Sequence, residues 1–221
     1  LTASDGHTLD CWMEPAVTPR RGGLVILQEI FGVTDQLKGV ANRYAQQGYD
    51  VAIPALFDRQ RRGAVIPFDQ APLGRDLMLA TPIESAVLDT AAAVAALAER
   101  GGKVAVMGFC WGGGLAVRAA QVLDIACAIS FYGTRLQGYL DRPLRAPVLG
   151  HFGLTDDHTP AEVLAAAREA LPGFEMHLYP AGHAFANEVR PSYVAEAAAL
   201  AHQRTAGFLA RHLGGQVKSS V

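Results

Sequence analysis

Cysteine is scarce in this 221-residue chain, with Cys11, Cys110 and Cys127 the only three. An odd count without a secretory pattern argues against a disulfide framework and fits a reducing cytoplasm. Paired-cysteine spacing is also missing, which removes the usual structural zinc site. The opening residues, Leu1-Thr2-Ala3-Ser4-Asp5-Gly6, lack the basic-then-apolar order of a signal peptide, so a cytoplasmic protein is the expectation. Charge of one sign is lacking too: 19 Lys and Arg stand against 21 Asp and Glu, for a formal net charge of -2. No basic field is left for counterion-release binding to nucleic acid. No apolar run approaches the roughly 18 residues of a spanning helix. The alanine-rich stretch 91–98 is flanked by Asp89 and Glu99. Neither nucleic acid nor a membrane is expected as a partner.

What the chain does contain is core-forming sequence. Half of its residues are hydrophobic and 18% are charged, the balance of a folded unit, and the length fits one α/β domain over residues 1–221. Short apolar runs predict strands at 24–27, 51–53, 104–107, 126–131 and 148–152, with a weaker one at 175–179. Helical patterns fall between them, at 35–47, 112–123 and 161–170. A longer helix is predicted to start at Thr81-Pro82-Ile83-Glu84, with Thr81 as cap, Pro82 preset for the first turn and Glu84 reaching back, and to run to about Arg100. The last helix is read over 191–213, followed by a frayed tail with Gly214, Gly215, Ser219 and Ser220. Residues 59–74, with prolines, glycines and arginines but no periodicity, read as a loop over the carboxyl edge of the sheet. Alternation of strand and helix predicts a mostly parallel central sheet with helices on both faces.

The strongest local signal is Val104-Ala105-Val106-Met107-Gly108-Phe109-Cys110-Trp111-Gly112-Gly113-Gly114, a strand entering Gly-x-Cys-x-Gly and then a helix. A tight strand-to-helix turn leaves no room for side chains beside the residue at its tip, so glycine is required on both sides. The turn pushes the tip residue out of the sheet. A sulfur placed there feels the positive end of the helix dipole, which favours the reactive thiolate. The alternative is a buried cysteine in a glycine-rich turn.

In an α/β-hydrolase the nucleophile is followed in chain order by an acid and a histidine. After the strand at 148–152 come Asp156 and Asp157, either of which could serve, or could simply cap the helix that follows. After the strand ending at Tyr179 comes Pro180-Ala181-Gly182-His183-Ala184-Phe185, a histidine on a glycine-containing turn. The thiol needs a base, and the base needs a carboxylate to fix its tautomer. His151 and His158 lie near the aspartates, but without the helical two-histidine spacing of a metal site. Upstream, Gln28-Glu29-Ile30-Phe31-Gly32 leaves the first strong strand where this architecture donates one oxyanion N–H. The two donors are expected to be Ile30 and Trp111, and Glu29 falls close enough to accept the thiol proton or tune its pKa. Glu29 could equally be a solvated loop acid.

Taken together, Gln28-Glu29-Ile30-Phe31-Gly32-Val33, the Gly-Phe-Cys-Trp-Gly-Gly elbow, Gly-x-x-Asp-x-x-x-Pro ending at Pro160 and Tyr-Pro-x-x-Gly-His-x-Phe ending at Phe185 resemble the dienelactone hydrolase (carboxymethylenebutenolidase) family. The likeness extends over nearly the whole chain. It implies a Cys-His-Asp triad on Cys110, His183 and Asp156, Asp156 being the residue that occupies the motif's aspartate. It implies that Glu29 holds the thiol at rest and takes its proton when substrate binds. It also implies a small-molecule ester or lactone substrate, an acyl-enzyme on Cys110, and no metal or organic cofactor. A monomer or small homo-oligomer is expected.

The departures fall on substrate recognition. Family enzymes clamp a substrate carboxylate with two arginines, one of them four residues after the histidine, and here that residue is Asn187. The other is expected near the Thr81 turn, with Arg75 the best candidate and Arg59, Arg61 and Arg62 the alternatives; the tyrosine expected four residues after it is Leu79. Asn187 and Arg75 are taken as the substrate-binding residues. Three alternatives to a dienelactone hydrolase stay open: a broad carboxylesterase of short activated esters, a non-catalytic module, and a redox-sensing thiol.

Overall fold

The fold is taken from a computed structural model, which describes residues 1–214. The expected tail from Gly215 onward lies outside the described residues. Gly214 itself closes the last helix in a left-handed C-cap, at φ 76°. Seven strands form one sheet: β1 (Cys11–Glu14), β2 (Gly22–Leu27), β3 (Tyr49–Pro54), β4 (Val104–Phe109), β5 (Cys127–Phe131), β6 (Val148–Gly153) and β7 (Phe174–Tyr179). Their spatial order is β1-β3-β2-β4-β5-β6-β7. β1 runs antiparallel to β3 and all the other pairs are parallel.

Among the described residues six α-helices complete the layers: α1 (Asp35–Ala45), α2 (Ala71–Ala80), α3 (Ile83–Ala98), α4 (Trp111–Val122), α5 (Ala161–Ala170) and α6 (Ala195–Leu213). Strand periodicity sends Leu24 and Ile26 to one face of the sheet and Val25 and Leu27 to the other. The first pair packs with Val40, Tyr44, Phe208 and Leu209 of α1 and α6. The second belongs to the core cluster that also holds Ala93, Leu97, Ala116 and Ala120 of α3 and α4 and, farther along the sheet, Val163 of α5. Burial on both faces explains why β2 to β6 read as continuous apolar runs. Among the described residues no single helix is long and apolar enough to cross a bilayer.

Three details differ from the sequence expectations. β1 was not expected, because its Cys-Trp-Met-Glu sequence lies at the sheet edge with Trp12 41% exposed, so neither burial nor alternation marks it. Within 59–74 the loop gives way to α2, which has Pro72 in its first turn and buries only Gly74 and Met78. Two buried positions in ten residues produce no readable apolar stripe. Thr81 does not cap α3: its hydroxyl donates to Leu77 O at 2.8 Å and its N–H to Met78 O at 3.2 Å, so it terminates α2. α3 starts after Pro82 with no side-chain cap.

Candidate active site

The centre of the site is the bend between β4 and α4. A Cβ on Gly108 would run into the Gly112 carbonyl, and one on Gly112 would stand 2.5 Å from Leu27 O, so backbone passes where side chains would have to be. At the tip, Cys110 takes φ 53° and ψ -116°, a left-handed region that non-glycine residues seldom occupy. The bend is held by its own backbone. Cys110 N donates to Phe131 O at 3.0 Å, and Cys110 O accepts from Gly113 N, Gly114 N and Thr134 N at 3.0–3.2 Å.

Cys110 lines a cavity of about 630 Å³ together with Glu29, Ile30, His183 and three arginines, Arg75, Arg135 and Arg190. Among the described residues, the four non-glycine residues with positive φ belong to this region: Cys110, Arg135 and Ala184 line the cavity, and Tyr132 sets its ring edge-on to His183 at 5.2 Å. Strain is thus concentrated where the loops at the carboxyl ends of β4, β5 and β7 converge.

His183 lies on the turn after β7, and its Nδ1 is 2.8 Å from Oδ2 of Asp156. Asp156, at the exit of β6, is 4% exposed, and its Oδ1 accepts the His158 N–H at 2.9 Å. Burial opposes ionisation of this carboxyl, but the His183 hydrogen bond and charge and the His158 N–H outweigh it and hold its pKa below the usual range. For His183 burial likewise opposes the charged form. The Asp156 carboxylate and the Cys110 sulfur beside it prevail and push its pKa up to about 10. Asp156, the aspartate that the family motif singles out, meets the imidazole, and Asp157 is exposed at the cavity wall. His158 packs on His183 with ring centroids 4.4 Å apart.

The loop after β2 forms the facing wall. Gly112 N donates to Gln28 O at 3.1 Å, tying this loop to the start of α4. Among the described residues the Ile30 and Trp111 N–H groups donate to no protein acceptor. Glu29 is 7% exposed. Burial raises its pKa, opposed by the charge of His183, the Asn187 amide, Arg190 and the Tyr132 hydroxyl.

Asn187 requires a correction. It is 1% exposed, does not line the cavity, and donates Nδ2 to Glu29 Oε2 at 2.9 Å, so it meets the acid and not a substrate. The chain folds back at this point, with Asn187 N on Ala184 O and Arg190 N on Asn187 O, which turns the shorter side chain inward. Arg75 does line the cavity, on the side of His158. Arg59 is taken up by Asp89 and Asp5 at 2.8 Å each, and Arg62 by Asp10 at 2.5 Å, so neither is offered to the cavity. Sequence reasoning missed Arg190. Its guanidinium lies 5.0 Å from the Phe31 ring centroid and 5.3 Å from that of Phe68, and among the described residues it has no carboxylate within 4.0 Å. A search of the rest of the turn, three residues beyond Asn187, would have found it. Arg135 was hidden because nothing local announces its left-handed backbone, at φ 61°.

A cysteine bend at the carboxyl edge of a doubly covered sheet, with the acid and then the histidine on later strand-end loops, after β6 and β7, defines an α/β-hydrolase. The chain matches the profile of the Dienelactone hydrolase family over residues 11–213 and belongs to that family. It is 35% identical to the carboxymethylenebutenolidase of Pseudomonas putida over 223 residues, covering 95% of this chain and 94% of that one. It is 34% identical over 202 residues to the putative carboxymethylenebutenolidase of Escherichia coli K12, covering 82% and 73%. A putative dienelactone hydrolase from Klebsiella pneumoniae superposes with a TM-score of 0.80 at 28% identity, over 95% of this chain and 97% of that one. The protein is accordingly a hydrolase of esters or lactones.

Proposed function

We propose that the protein hydrolyses a small lactone or activated ester in dienelactone hydrolase fashion, through an acyl-enzyme on Cys110. The observation that carries this reading is the presentation of Cys110 on a strained bend in one cavity with His183, whose Nδ1 is fixed 2.8 Å from Asp156. Glu29 accepts the thiol proton, and the sulfur attacks the carbonyl carbon. The oxygen charge that develops is met by the Ile30 and Trp111 N–H groups. The carbon–oxygen bond breaks and His183 protonates the leaving oxygen. Acylation removes the negative sulfur that helped to hold the imidazole proton, so the proton is released at the step that needs it. Neutral His183 then takes a proton from water, the hydroxide cleaves the thioester, the departing sulfur takes back the proton held by Glu29, and the acid product loses its own proton to solvent. The test is rapid-quench mass spectrometry during turnover of an activated ester. A mass increase equal to the acyl group on the peptide carrying Cys110 is expected; turnover with no adduct on that peptide at any time or pH overturns the reading.

Arg190 supports a carboxylate-bearing substrate. A guanidinium stacked on two rings is already oriented, and one without a carboxylate partner is free to take a bidentate anion. Arg190→Met is expected to raise KM for a carboxylate-bearing lactone by roughly 10- to 100-fold, as loss of about 1.5–3 kcal/mol of charged hydrogen bonding requires. Neutral aryl acetates should change less than about 3-fold. Equal loss on both substrates would favour the broad carboxylesterase reading, in which Arg190 only packs.

A further inference from the structure

The Glu29 carboxyl group has two unlike oxygens. Oε2 accepts the Asn187 amide at 2.9 Å, while Oε1 is buried and has no hydrogen-bond partner among the described residues. Glu29 is flanked by His183 and Arg190 from the loop between β7 and α6, by Tyr132 at the exit of β5, and by Cys110, with which it shares the cavity. Asn187 makes the direct hydrogen bond to this carboxyl, at 2.9 Å, and the Tyr132 hydroxyl also favours its charged form from close by. Arg190, the nearest guanidinium by charge, is engaged with Phe31 and Phe68.

We propose that Asn187 is a positioning residue for the hydrolysis: its uncharged amide locks Oε2 of Glu29 and so leaves Oε1 as the oxygen that takes the Cys110 proton. The proposal rests on the reading of Glu29 as that proton acceptor. The choice of amide has a chemical consequence. An amide orients the group without the added pKa-lowering charge that a cation would bring. Burial of the carboxyl acts in the same direction.

The measurements are the pH profile of kcat/KM and the pH profile of Cys110 alkylation by iodoacetamide, with the modified peptide identified by mass. Asn187→Asp places a second carboxylate against Oε2, and a like charge raises the pKa of Glu29. The acid limb of both profiles is expected to move up by at least about one pH unit. Asn187→Leu removes the donor without adding charge and should move the limb in the same direction by less, and it carries the test if the Asp variant does not fold. A merely structural role would lower activity without moving either limb. Glu29→Gln separates the two levels of the argument. If its alkylation profile loses the limb while neither Asn187 variant shifts it, the positioning role is overturned and Glu29 keeps its place. If the limb persists unchanged in Glu29→Gln, Glu29 is not the acceptor and both fall.

Discussion

Replacing Cys110 by alanine is expected to lower kcat/KM for an activated ester by at least about 10⁴-fold, near 5 kcal/mol of transition-state stabilisation. Without the sulfur no covalent intermediate forms, and what remains is an oxyanion site and a positioned base acting on water. The fold should survive, because the bend is held by backbone bonds from Cys110 to Phe131, Gly113, Gly114 and Thr134, none of which uses the side chain. The serine variant should keep a small residue of turnover. Its hydroxyl can attack only while losing its proton, whereas a thiol gives up its proton far more readily. Circular dichroism to establish folding and initial rates on one aryl ester suffice as measurements. Wild-type turnover in the alanine protein would remove Cys110 from the chemistry and leave the redox-sensing reading in its place.

Much of this site was legible before any coordinates because it depends on local rules. Gly108 and Gly112 betray the bend, since no other residue fits beside its tip, and the order Cys110, Asp156, His183 follows from where the parallel strands β4, β6 and β7 end. The choice between Asp156 and Asp157 was open to pattern alone, as both lie on the same loop. The family motif favours Asp156, and the path of the loop gives the physical reason by burying one residue and exposing the other. Arg190 and Asn187 escaped for a different reason. Their roles depend on Phe31, Phe68 and Glu29, more than one hundred residues away in sequence; a search of the turn could point to Arg190 as a candidate, but not to the partners that define either role. The edge strand β1 and helix α2 share a further limitation: elements that bury little apolar surface carry little periodicity to be read.

Asp156→Asn tests the remaining link, since it keeps size and hydrogen-bonding capacity while removing charge. Activity is expected to fall on the order of 10³-fold, because the amide can present a donor to His183 Nδ1 and so favour the wrong tautomer. The pH dependence of stability gives an independent sign. His183 has its pKa raised in the folded protein to about 10, so the stability it contributes is fully present below its unfolded value of about 6.5 and is lost as pH rises through about 10. Asp156 has its pKa lowered, so its contribution is present above the unfolded carboxylate value near 4 and is lost as pH falls below it. The difference in Tm between wild type and Asp156→Asn should therefore be widest between about pH 4 and pH 6.5 and shrink on both sides. A difference that stays flat from acid to alkali would mean that the 2.8 Å contact is an ordinary neutral hydrogen bond, and the imidazole would then need another source for its orientation and its proton.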